Sequence, residues 1–213
     1  KEVRQDTIDE SRDALKVKMD AEGVAKQKAK EIAEEAEEFK EALKGEIEEG
    51  LIDVETQLNR IVIRIREKGS FPSGDARLNK EFLPIIGKIQ TVLIKTDGQI
   101  AVAGHTDDIP INTPRYRSNW ELSTSRATSV VHELLRNGEM LPERFVLEGY
   151  ADTQPLTTND TSDNRARNRR VEIIVLKSTA KEEVTNSVNK LNEKFESVEG
   201  EVTPVDQSGQ PIE

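Results

Sequence analysis

The sequence predicts a two-layer α/β (α+β) sandwich: a four-stranded mixed sheet with helices packed on one face, preceded by a helical arm and followed by a further helix. Three observations predict it. Residues 58–176 alternate between strand-like runs of period two and helical runs of period 3.6. Turn signals such as Gly98, Gly138 and the polar stretch 152–163 separate them. Charge is also segregated: residues 1–50 hold 10 Lys and Arg against 16 Asp and Glu, residues 51–177 hold 18 against 17, and residues 178–213 hold 3 against 8. A near-neutral globular part between two acidic arms follows, and it argues against nucleic acid as a partner, because phosphate binding needs a net basic surface.

Taken in order, residues 5–48 read as helix. Ala25, Ala29, Ile32, Ala36, Phe39 and Leu43 step by four and three, which suits either a coiled-coil seam or a solvated, charge-laced single helix. Arg60–Arg66 is a half-buried strand with Ile61, Ile63 and Ile65 on one side. Phe82, Ile86, Ile89 and Leu93 mark a helix, with Pro84 tolerated in its first turn. Gln99–Gly104 is the second strand. Ser118 and Glu121 form a capping-box pattern opening the next helix, whose buried side is Leu122, Ala127, Val130, Val131 and Leu134. Arg144–Glu148 is the third strand, Asp163–Asn168 a short helix, and Val171–Leu176 the fourth strand. Val184, Val188, Leu191, Phe195 and Val198 predict a last amphipathic helix. The organisation is therefore a charged helical arm over 1–50, a globular domain over 51–177, an amphipathic helix over 178–199 and a disordered tail over 200–213.

With 34% hydrophobic and 34% charged residues, the chain is too polar to be one compact core throughout, which is why the arms are assigned outside it. It has no cysteine, so disulfides and thiolate metal sites are excluded. No apolar run of about 18 residues is present to span a membrane.

The candidate chemistry lies at element ends. Asp107 follows the second strand, and Arg126 sits early in the helix after it. A carboxylate accepts hydrogen bonds from an ammonium, and a guanidinium grips a carboxylate through two parallel bonds. The helix start near Leu122 and Ser123 adds N–H donors. Together they suit a small zwitterion; an ordinary Asp–Arg ion pair is the competing reading. In the cluster Arg165, Arg167, Arg169 and Arg170, at least one arginine should brace the site or its loop. His105 with Asp107 and Asp108 admits a metal site, but the only other histidine is His132, and packing at the strand end is the better reading. Ser123 and Ser125 lack a neighbouring base and read as local helix bonding. No catalytic residue, cofactor or metal is assigned. Trp120 reads as a partly buried anchor for the loop before it, with a binding platform as the alternative.

Gly104-His105-Thr106-Asp107, Leu122-Ser123-x-x-Arg126-Ala127, Gly149 ahead of Pro155, and Asn168-Arg169-Arg170-Val171-Glu172-Ile173 together resemble the OmpA-like domain of outer-membrane proteins, Pal lipoproteins and flagellar stator subunits. The loop Asp107-Asp108-Ile109-Pro110-Ile111, followed by Ser118-Asn119-Trp120-Glu121-Leu122-Ser123, is similar to the flagellar motor stator B subunits, the MotB/PomB family, most of all the sodium-driven PomB type. The resemblance implies a non-covalent peptidoglycan anchor that catalyses nothing and recognises diaminopimelate in the stem peptide through Thr106, Asp107, Asn119, Leu122, Arg126 and Arg169. It also implies a homodimer in the periplasm, a fragment downstream of a single inner-membrane span, a stator A subunit as membrane partner, and contact with periplasmic motor ring proteins. Two alternatives stay open: a general OmpA- or Pal-type wall tether with no motor role, and a metal-dependent cell-wall hydrolase using His105, Asp107 and Asp108.

Overall fold

The structure, a computed structural model, describes residues 23–177 except Leu58. Helix α1 covers 23–42, and α2 (Lys44–Glu48) follows a one-residue break at Leu43. The expected single helix over 5–48 is thus interrupted where described, and its first part lies outside the described residues, as do the expected helix over 178–199 and the tail. Next come β1 (Ile52–Gln57), β2 (Arg60–Arg66), the single kinked turn α3 (Glu67–Ser70), α4 (Leu83–Leu93), β3 (Gln99–His105), α5 (Asn119–Leu135), β4 (Phe145–Ala151), α6 (Ser162–Asn168) and β5 (Arg170–Leu176).

The sheet has five strands in the order β1-β2-β5-β3-β4. All neighbours are antiparallel except β3 and β4, which the α5 crossover makes parallel. The expected count of four missed β1. This edge strand, Ile-Asp-Val-Glu-Thr-Gln, buries only Ile52 fully. It is held by backbone pairing of Ile52 with Ile65 through Gln57 with Arg60, and by Asp53 on Arg66 and Glu55 on Arg64. Such a polar, one-sided edge has little hydrophobic alternation to read.

The core lies between the helices and one face of the sheet. Ile61, Ile63 and Ile65 of β2, Val171, Ile173 and Val175 of β5, and Ile100 and Val102 of β3 all point into it. Ile86, Ile89 and Leu93 of α4 and Val130, Val131 and Leu134 of α5 cover them. Ile32, Ala36, Phe39 and Leu43 join the same core. The second half of the stripe that suited a coiled-coil seam therefore packs on this chain's own domain, while Ala25 and Ala29 stay exposed, and residues 26–177 form one compact unit. Lys177, at the end of β5, donates to Glu35 of α1 at 2.8 Å. Full burial of Ile32, Phe39 and Leu43 contributes about 1.5–3 kcal/mol each, which is why this part of the stripe docks rather than staying in water.

The opposite face of the sheet is mixed: Val62, Ala101 and Ala103 are buried on it, and charged groups gather beside them. Glu172 of β5 accepts from Arg64 Nε of β2 at 3.1 Å and from Arg170 Nε at 2.7 Å. Burial pushes the Glu172 carboxyl up, but Arg170 and Arg64 outweigh it and hold the group below its ordinary value.

Candidate functional site

One end of the sheet gathers the groups the sequence singled out. Thr106 and Asp107 lie just past β3. Asn119, Leu122 and Arg126 occupy the first two turns of α5, and Arg169 sits between α6 and β5. All six line a single cavity of about 310 Å³, together with Glu67, Gly74, Ile109 and Ile111.

Close packing of β3 on α5 sets this geometry. Gly104 faces the backbone of Ser123 so closely that a Cβ there would stand 2.0 Å from the Ser123 carbonyl oxygen. Ser123 Oγ donates to the Trp120 carbonyl at 3.1 Å and accepts from Ala151 N at 3.2 Å, locking α5 to β4. Ala151 takes a left-handed φ of 51°, and its carbonyl accepts from Thr106 N at 2.8 Å. The hydroxyl of Ser118 caps α5 by accepting from Glu121 N at 3.5 Å, while the Glu121 carboxylate reaches back to Arg117 N at 2.7 Å.

A chain of alternating charges crosses the pocket. Arg126 is 1% exposed. Its Nη2 donates to Glu67, its Nε donates to the Asp75 carbonyl at 2.9 Å, and its guanidinium lies 5.3 Å above the Phe71 ring. Among the described residues its Nη1 has no hydrogen-bond partner. The other oxygen of Glu67 accepts from Arg169 Nε, and Arg169 Nη1 donates to Asp107 Oδ2 at 2.7 Å. Burial lowers the Arg169 pKa, but Glu67 and Asp107 more than offset that and hold it above the ordinary arginine value. Asp107 Oδ1 accepts from Ile109 N at 3.2 Å, and Asn119 Nδ2 donates to the Asp107 and Ile109 carbonyls at 3.2 and 3.1 Å. Asn119 thereby fixes the loop that carries Asp107.

Asp107 and Arg126 do not pair with each other; Arg169 and Glu67 stand between them. Glu67 is the site residue that sequence reading missed. It follows a strand directly and has no motif of its own, and its proximity to Arg126, 59 residues away, is a product of the fold. The loop anchor also differs from expectation. Trp120 is 52% exposed, whereas Tyr116 is buried against Ala76 and Leu122, with its hydroxyl accepting from Ala76 N at 3.2 Å. Trp120 belongs to the exposed first turn of an amphipathic helix, and its size drew an anchoring role that the smaller ring of Tyr116 fills. Around α6, Asn168 braces the preceding loop by accepting from Leu156 N and Thr157 N at 2.9 and 3.0 Å. Arg165 and Arg170 hold the Asn159 and Gln154 carbonyls of the same loop.

His105 lies in the register of Arg170 across β3 and β5. It is 2% exposed and stacked on Tyr150 at 5.3 Å. Burial, reinforced by Arg170, lowers its pKa to about 4. An unfolded histidine titrates near 6.5, so as the pH falls the unfolded chain takes up the proton first. The contribution is full above about pH 6.5 and is lost between about 6.5 and 4. Urea unfolding should show about 2 kcal/mol less stability at pH 5 than at pH 7 from this group, and His105→Phe should shrink that difference.

These features define a small α+β module with a polar, charge-balanced pocket at the carboxyl end of its second and third strands. Residues 70–169 match the OmpA family. "Motility protein B" of Bacillus subtilis (strain 168) is 35% identical over 123 residues, covering 57% of this chain and 47% of that protein. The "uncharacterized protein YtxE" of the same organism is 38% identical over 118 residues, covering 55% of this chain and 49% of that protein. The chain thus spans about half the length of these curated relatives. Among solved structures, the cell wall anchor of the T6SS from Pseudomonas aeruginosa superposes with a TM-score of 0.62 and 40% identity, over 66% of this chain and 97% of that one.

Proposed function

We propose that this domain is a peptidoglycan anchor of the flagellar motor stator, gripping the wall without covalent chemistry by recognising the free amino-acid end of diaminopimelate in the stem peptide. The observation that carries the reading is the placing of Asp107 and Arg126 on one pocket, with the buried Arg126 Nη1 left without a hydrogen-bond partner among the described residues. Arg126 takes the ligand carboxylate, and Asp107 with nearby carbonyls takes the ammonium. Charge-assisted bonds of about 1.5–3 kcal/mol each make one site modest in affinity, and two sites on a homodimer raise it through effective concentration. The setting is the periplasm, with a stator A subunit reached through a membrane segment of the full protein and with motor ring proteins nearby. Similarity to "Motility protein B" supports the motor role; the sodium coupling of the PomB type is tested by swimming in media with and without sodium.

Asp107→Asn should cut retention of the chain on purified sacculi by at least tenfold, while its thermal melt shows that the fold is kept. Retention equal to the parent would sink the pocket assignment. A second reading, a wall tether with no motor role, is favoured by the 40% identity to the secretion-system anchor. The full-length sequence separates the two: a membrane span carrying one buried aspartate supports the stator, and a lipid-modified cysteine or a β-barrel supports the tether. The hydrolase reading loses support, since His105 stacks on Tyr150 and does not line the pocket.

A further inference from the structure

The pocket carries two guanidinium groups, Arg126 and Arg169, and two carboxylates, Glu67 and Asp107. They are wired in sequence, Arg126 to Glu67 to Arg169 to Asp107, with both Glu67 oxygens in use. Glu67 is 8% exposed and Arg126 1%, so their charges act on a ligand through little water. With Glu67 present the four charges cancel. Without it the pocket would hold one uncompensated arginine and would favour any carboxylate that fits. We propose that Glu67 sets the charge selectivity of the pocket. By offsetting the second arginine, it makes the site accept a group bearing one ammonium and one carboxylate and disfavour a group bearing a carboxylate alone. The inference rests on the reading of the pocket as an amino-acid receptor and assigns that selectivity to a residue outside the motifs that mark the site.

The mechanism is a matter of net charge. A zwitterionic end enters a neutral site with no change in total charge: its carboxylate is drawn toward the Arg126 guanidinium and its ammonium toward Asp107. A bare carboxylate adds one negative charge to a buried pocket that already has two, with nothing to compensate it. Glu67→Gln keeps the size and one acceptor oxygen but removes the charge, so it should lower the barrier to the bare carboxylate and weaken the hold on the ammonium. Arg169→Gln shifts the balance the other way.

The test uses the full chain and two ligands of equal carbon length, meso-diaminopimelate and pimelate, which lacks both amino groups. Isothermal titration should show the parent preferring diaminopimelate by at least tenfold. In Glu67→Gln that ratio should fall by tenfold or more, chiefly through a gain in pimelate affinity that mere loosening of the pocket would not produce. In Arg169→Gln the ratio should rise, so the charge argument is still decided if Glu67→Gln fails to fold. A parent that discriminates while both variants keep its ratio overturns the role given to Glu67 and leaves the wall-peptide reading standing. A parent that binds neither ligand overturns that reading, and the inference with it.

Discussion

Arg126→Ala should abolish retention on sacculi and lower the melting temperature by roughly 10 °C. The side chain is 1% exposed and holds one oxygen of Glu67, the Asp75 carbonyl and the Phe71 ring face at once. Removing one partner of a buried ion pair costs about 3–5 kcal/mol, because the other charge is left without compensation. Each kcal/mol corresponds to about 2–4 °C for a domain of this size. Calorimetry at pH 7 reads the loss directly. The double variant Arg126→Leu/Glu67→Leu should recover much of the stability while staying unable to bind, because no isolated charge remains. A double variant as unstable as the single one would show that the Asp75 and Phe71 contacts, rather than the ion pair, hold this corner together.

Gly104→Ala should be the most damaging methyl group that can be added near the site. Its Cβ would lie 2.0 Å from the Ser123 carbonyl oxygen and 2.6 Å from the carbonyl carbon, and both atoms belong to the backbone of α5. Rotamer change cannot relieve the clash, so strand and helix must separate. Overpacking of a core commonly costs about 1–3 kcal/mol and more where backbone must move; about 3 kcal/mol or more is expected, read as a lower urea midpoint. Gly149→Ala is the informative comparison. Its Cβ would meet Thr124 Oγ1 at 2.1 Å, an atom that can rotate away after losing its 2.8 Å bond to the Trp120 carbonyl, leaving Thr124 Cβ and N at 3.1 Å to give by a few tenths of an ångström. It should cost about 1 kcal/mol, the worth of that bond. Equal losses in the two variants would mean that β4 seats α5 as tightly as β3 does.

Elements with a strong period were legible in the sequence. β2 shows Ile61, Ile63 and Ile65 in alternation, and α5 opens on Ser118 and Glu121. The sheet edge was not legible, since Asp53, Glu55 and Gln57 break any apolar alternation and read as strand only once β2 lies beside them. The role of α1 was half legible: Ile32, Ala36, Phe39 and Leu43 announce an apolar stripe, but a stripe does not say which surface it will cover. At the site, Asp107 and Arg126 stand out because strand ends and helix first turns are where such groups converge. Glu67 does not, because its meaning comes from Arg126 and Arg169, 59 and 102 residues away. Tyr116 was overlooked for a related reason: burial of a loop aromatic depends on the facing loop, here Ala76, which no local period reveals.

Docking of α1 on the domain also decides where a mechanical load would enter it. The pocket sits at the end of β2 and β3 that holds Glu67 and Asp107, while Glu35 of α1 is tied to Lys177 at the far end of β5. A pull between a wall-bound ligand and the chain leading into α1 would therefore run the length of the sheet, stretching the ladders of β2, β5 and β3 along the strand direction so that many backbone bonds share it. Were α1 peeled away, the same pull would enter at Leu51, whose carbonyl accepts from Arg66 N at 3.0 Å beside the pocket, and would bypass most of those ladders. If the domain anchors to the wall as proposed, the apolar stripe of α1 would act as a strain relief, directing tension along the strands rather than onto the loops that shape the pocket.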